Sequence, residues 1–188
     1  MTPLRIALPL LLLAAALAAP SCSSPLPRRD TSGEAFPEVQ GESLAGEAVQ
    51  LPQAVAGRPA VLLLGYVQDA QFDADRWLFG LLQAETPVQI LELPTIPGLF
   101  PRLLRGTIDD GMRSGIPSED WASVVTVYGP DAATLKAFTG VETPRNIRVL
   151  MLDRDGRVVW MHDRGFSAGK MLELDRAARA LAGDGGGS

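Results

Sequence analysis

The feature that most constrains this chain is the run Val61-Leu62-Leu63-Leu64-Gly65-Tyr66-Val67. It does not alternate, so it has no polar face to turn to water. Such a run suits a central strand covered on both sides, as strands in parallel sheets are. A polar loop, Gln68 to Asp75, follows it. Then Trp77, Leu78, Leu81 and Leu82 recur at helical spacing and predict a helix, with Asp73 or Asp75 as its cap. Val88 to Leu93 reads as the next strand.

Before this unit, Leu44, Val49 and Leu51 predict two short strands about a turn at Gly46. After it, the stretch Ile96 to Gly129 predicts a helix with Pro101 at its first position, where the missing N–H costs nothing. Leu103, Leu104 and Ile108 form its apolar spacing, and Arg102, Arg105 and Arg113 lie mostly on the other side as a basic face. Gly111, Gly115 and Pro117 end it, and Val124 to Tyr128 returns to the core. A short helix over Asp131 to Phe138 turns Leu135 and Phe138 inward. Ile147 to Leu152 and Arg157 to Met161 are strands joined by an Asp155-Gly156 hairpin turn. A final amphipathic helix, Lys170 to Leu181, uses Met171, Leu174, Ala178 and Leu181.

The alternation of strands and helices, closed by a hairpin, predicts an α/β domain. It is a three-layer sandwich, a mixed sheet with helices on both faces. This succession is that of a thioredoxin-like domain with added elements. The domain is expected over residues 36 to 182, with a Gly-rich tail over 183 to 188.

Residues 1 to 21 read as a signal peptide. Arg5 gives a positive start, and Ile6 to Ala19 is an apolar stretch short for a membrane span. The ending Leu17-Ala18-Ala19-Pro20-Ser21-Cys22 resembles a bacterial lipoprotein leader, in which the cysteine becomes the acylated N-terminus. On this reading lipid on Cys22 holds the protein at the cell envelope, on the outer side of the inner membrane or at the outer membrane. Residues 22 to 35, rich in Ser, Pro and Arg, read as a flexible tether reaching about 20 Å.

Cys22 is the only cysteine, so a lipidated chain has no thiol for catalysis, disulfides or metal. The loop Gln68 to Asp73, where a redox thioredoxin-like domain carries cysteines, holds none, and Pro144 stands two or three residues too early for the proline that faces that site. Dithiol exchange is excluded on these grounds. His162, the only histidine, reads as structural. Asp69, Asp73 and Asp75 lack the glycine and distal glutamate of a calcium loop. No phosphate loop or nucleophilic serine motif is present, so no catalytic residue, cofactor or metal is expected. The net charge of −5 gives no reason to expect nucleic acid.

Gly111-Met112-Arg113, Ile116-Pro117, Val127-Tyr128, Asn146 and Leu152-Asp153-Arg154-Asp155-Gly156-Arg157, with Trp160 and Gly165 after them, resemble the mitochondrial ATP synthase assembly factor family. Gly41, Ser43, Leu44, Gly46, Val49, Leu51-Pro52 and Glu92-Leu93 fit upstream, and the likeness runs from Phe36 to Leu181. The resemblance implies a thioredoxin-like fold without redox cysteines that acts by binding. The partner it implies is a membrane or envelope protein, such as an ATP synthase membrane subunit. Arg102, Arg105, Met112, Arg113, Arg157 and Trp160 are the candidate binding residues, since arginine and tryptophan are common interface anchors. The alternative is a cysteine-independent enzyme or small-ligand domain using the vestigial cleft near Asp69, Asp73 and Pro144.

Overall fold

The computed structural model describes residues 26–98 and 103–183. The leader, Cys22, Pro101, Arg102 and residues 184–188 lie outside these. Seven strands form one mixed sheet in the order β2-β1-β5-β4-β3-β6-β7. They are β1 (Val39–Ser43), β2 (Ala48–Leu51), β3 (Ala60–Gly65), β4 (Gln89–Ile96), β5 (Val125–Tyr128), β6 (Arg148–Leu152) and β7 (Val158–His162). The helices are α1 (Gln71–Gln83), α2 (Arg105–Arg113), α3 (Gly129–Thr139) and α4 (Ala168–Gly183).

The apolar run is the spine of this sheet. β3 pairs in parallel with β4 and antiparallel with β6. Its side chains alternate between two cores. Ala60, Leu62 and Leu64 pack with Leu91, Leu93, Val127, Ala132 and Leu135 under α3. Val61 and Leu63 pack with Trp77, Leu81, Leu174 and Ala178 under α1 and α4. Burying each of these leucines contributes about 1.5–3 kcal/mol, so the face-to-face division of β3 accounts for the three layers. The Asp155-Gly156 turn closes as expected: Asp153 Oδ1 accepts from the amides of Asp155 and Arg157, both at 2.9 Å, and Gly156 takes a positive φ of 77°.

Four expectations fail. The segment from Leu26 on is not a tether but an arm packed along the domain. Leu26 bridges Val141, Gly33 N–H donates to Val158 O at 2.7 Å, and Thr31 is fully buried. Its polar composition conceals backbone pairing, because the pairing partner is a distant strand. Leu103 and Leu104 do not face the core: they are 81% and 45% exposed, and the buried residue of α2 is Asp109. Leu82 is 57% exposed, so the buried stripe of α1 is narrower than its apolar spacing. Neither Asp73 nor Asp75 caps α1, whose first turn instead continues a 3-10 turn over Gln68–Ala70.

The arm depends on Gly140, which takes φ 67° and ψ 167°, a region nearly closed to other residues. A Cβ there would also run into the carbonyl of Pro27. Gly140→Ala is expected to cost about 1–3 kcal/mol in urea unfolding and to make the arm protease-sensitive. An unchanged midpoint with an intact arm would refute this account.

Candidate functional site

β3 ends at Gly65, and β6, running the other way, begins beside it: Leu64 pairs with Arg148. This brings the loop after β3 against the loop Thr143 to Asn146. Asp69 and Arg145 meet across the gap at 3.3 Å, both mostly exposed. Tyr66 turns the other way, towards the end of α3. Its hydroxyl lies 2.7 Å from Thr139 Oγ1 and donates to Leu135 O at 3.1 Å. Burial pushes its phenol up to about 12.

Asp73 sits one turn into this region and is nearly buried. Its Oδ2 accepts from the amide of Ile147 at 2.9 Å, and its Oδ1 from that of Phe166 at 2.6 Å. One carboxylate thus ties the start of α1 to the start of β6 and to the loop before α4. One turn further on, Trp77 is fully buried against Trp160, His162 and Phe166, with ring centroids 5.5–6.0 Å away. His162 Nε2 is 2.9 Å from Gly165 O.

Arg148 is the residue that sequence reading passed over. It is fully buried, yet among the described residues no ion pair involves it. Its Nη1 donates to Thr143 O at 3.0 Å and to Asn146 O at 2.7 Å, and its guanidinium lies over the Tyr66 ring at 5.5 Å. Among the described residues its Nε has no partner. Burial holds the guanidinium below its ordinary value. Arg148 lines a cavity of about 300 Å³ with Arg28, Glu142, Asn146, Asp163 and Arg164. Arg28 is paired there with Asp163 at 2.8 Å. The signal that could have found Arg148 is a lone charge in the otherwise apolar run Ile147 to Leu152.

Of the sequence-predicted binding residues, Arg105, Met112 and Arg113 share α2, while Arg157 and Trp160 stand at β7. Arg102 and the lipidation residue Cys22 lie outside the described residues. Arg105 is exposed, 3.5 Å from Glu42. Arg113 is largely spent on the fold: Nε donates to Leu44 O at 2.8 Å, Nη1 to Asp110 at 2.8 Å, and the guanidinium lies 5.9 Å from the Trp121 ring. Met112, beside it on α2, is half-buried. Arg157 stands near the far edge, donating to Gly33 O at 3.2 Å. Trp160 is half-buried against the core under α1 and α4, its Nε1 donating to Glu173 at 3.0 Å.

No family model matches the sequence, and no curated protein matches it. The assembly-factor resemblance therefore gains no support from either. Solved structures do match. A SCO1/SenC family lipoprotein from Bacillus anthracis str. Ames is similar over 83% of this chain and 99% of its own, at 10% identity and a TM-score of 0.57. BsSco, a member of the Sco family of cytochrome c oxidase assembly proteins, is similar over 81% and 98%, at 11% identity and 0.56. Yeast Sco1 with copper bound is similar over 81% and 95%, at 11% identity and 0.55. At such identities the likeness is one of fold, and the fold is thioredoxin-like. Copper does not come with it on these residues. The loop after β3 and the first turn of α1 hold Gln68, Asp69, Gln71 and Asp73 and no thiol. Among the described residues no three His, Cys, Asp or Glu side chains gather, so a soft metal finds no matching donor set there.

Two measurements test this geometry. Asp73→Ala would leave one buried and one part-buried amide without an acceptor and is expected to cost about 2–5 kcal/mol, while Asp75→Ala stays within roughly 0.5. Equal effects would remove the clamp. The chain has two tyrosines, Tyr66 and Tyr128, and both phenols are raised, Tyr128 by burial and then by Asp109 beside it. A folded value above the ordinary 10 means the folded state holds its proton more tightly. That stability is present below pH 10 and is lost as pH climbs through about 12. Tyrosinate absorbance should therefore rise later than in free tyrosine and coincide with unfolding, and Tyr66→Phe should lessen the alkaline loss.

Proposed function

We propose that this protein is a thiol-free thioredoxin-like binding domain, held at the cell envelope by lipid on Cys22, that docks another envelope or membrane protein. The observation that carries the reading is an apolar stripe left on the solvent side of α1. Phe72 is 75% exposed and Phe79, seven residues on, 68%. Leu82 extends the stripe at 57%. Two phenylalanines two turns apart, next to the loop where redox relatives carry cysteines, cost solubility unless something covers them. Their spacing is that of anchors entering a complementary groove. Similar structures that are a lipoprotein and an assembly protein are in keeping with this reading. The finer version, in which the client is an ATP synthase membrane subunit, rests on the resemblance alone.

Photo-cross-linking from Phe72 and Phe79 in the cells that make the protein tests the docking. One discrete adduct, lost in a Phe72→Ser/Phe79→Ser chain that keeps its thermal midpoint, is the expected result. Adducts unchanged by those substitutions would overturn it. Arg105→Ala in parallel shows whether the arginine face contributes. Cys22→Ser is expected to move the protein from the membrane to the soluble envelope fraction. Retention on the membrane would end the lipid-anchor reading.

A further inference from the structure

We propose that the cavity at the start of β6 is a binding site for a carboxylate, with Arg148 as its anchor. The geometry of the guanidinium makes the case. Nη1 is committed to Thr143 O and Asn146 O, which hold the fork in one plane. No described residue accepts from Nε or from Nη2. Nε–H and Nη2–H point to the same side of an arginine, and a carboxylate accepts from that pair in bidentate fashion. An arginine needed only for packing or for the loop would not leave this edge unused, because an unsatisfied buried donor costs free energy.

The charges around the cavity select the ligand. Arg28 and Asp163 neutralise each other at 2.8 Å. Arg164 and Glu142, both exposed, cancel at the rim. What remains is the single positive charge of Arg148, which a monoanion matches and a phosphate dianion overshoots. A cavity of about 300 Å³ stands at the small end of ligand sites. It takes a small organic acid or the carboxyl end of a peptide, not a nucleotide. Nε is closed to bulk water, so seating the acid requires a small outward shift of the wall. The site lies apart from the phenylalanine stripe of α1 in residues and in chemistry, so it stands or falls separately from the docking proposal.

The test is a titration of the purified full-length chain with acetate at constant ionic strength, following the Arg148 Nε–H resonance and the Thr143 and Asn146 amides. Chloride and phosphate serve as controls. The expected result is a saturable shift with acetate and none with chloride. Arg164→Glu, an exposed change that spares the fold, should weaken the affinity about fourfold, the effect of reversing one charge roughly 10 Å away. Arg148→Lys, which keeps the charge but lacks the fork, should abolish the saturable shift. A short peptide with a free C-terminus, set against its amide, identifies the source of the acid. Tighter binding of the free peptide than of acetate assigns a chain end, and weaker binding assigns a free small acid. Equal shifts with acetate and chloride, or phosphate binding as well as acetate, would overturn the proposal. So would a wild-type affinity in Arg164→Glu.

Discussion

The arrangement of this domain's working end rests on one carboxylate. Asp73 is nearly buried, and its two oxygens are taken by the amides of Ile147 and Phe166, which lie 74 and 93 residues away in sequence. Taking a charge out of water is costly unless its oxygens find donors, and two backbone N–H groups supply them. The result is a fixed meeting point for α1, β6 and the loop before α4. Trp77, one turn further along α1, is thereby set into the ring of Trp160, His162 and Phe166. Ile147 is also the neighbour of Arg148, so the bond that holds α1 in place sets where the arginine enters the cavity.

A thioredoxin-like fold has a place for chemistry at the carboxyl end of its central strand. Here that place carries side chains that brace the loops. Tyr66 leans on the end of α3 through Thr139 and Leu135, Arg148 lies on the Tyr66 ring, and Asp69 pairs with Arg145 across the loops. None of these groups is a nucleophile poised beside a base. The loops are held by hydrogen bonds to backbone on both sides, which favours a preformed surface over a moving one. Preformed surfaces bind at lower entropic cost.

Much of the fold was legible because its signals are local. The unalternating run that opens at Val61 reads as a strand buried on both faces, which holds to Leu64 while Val67 past the strand end is exposed, and Asp155-Gly156 reads as a tight turn. The stripe Leu174 and Ala178 announced its own helix face. What escaped is non-local. Leu26 to Ala35 looks like solvated linker until Val141, Arg157 and Val158 are seen beside it. Leu103 and Leu104 have helical spacing, but the core never reaches them, and α2 instead buries Asp109 under the Tyr128 hydroxyl. The role of Asp73 was hidden for the same reason: an aspartate at a helix start reads as a cap unless its distant partners are known. The candidate interface was a list of residue types, and residue types do not say that Arg113 and Trp160 are already engaged.

Arg148 separates these two kinds of information most sharply. Its neighbours in β6 are Val149, Leu150, Met151 and Leu152, all buried, and packing alone would be served as well by another aliphatic residue. Holding the loop Thr143 to Asn146 asks for one donor group turned to two carbonyls, which a neutral amide could supply at lower desolvation cost. Neither need calls for a full guanidinium. Among the described residues Arg113 is the other arginine that is not exposed, and it is matched by Asp110 and Leu44 O. Among the described residues Arg148 alone combines complete burial, a cation and an Nε without an acceptor, beside the cavity it helps to line. A buried cation with no fixed counterion raises the energy of the empty fold, and an anion that completes it lowers that energy again. The same bonds that restrain the guanidinium through Nη1 also keep its free edge in one orientation. The strain of carrying the charge and the fixed orientation of the guanidinium are therefore two consequences of a single placement.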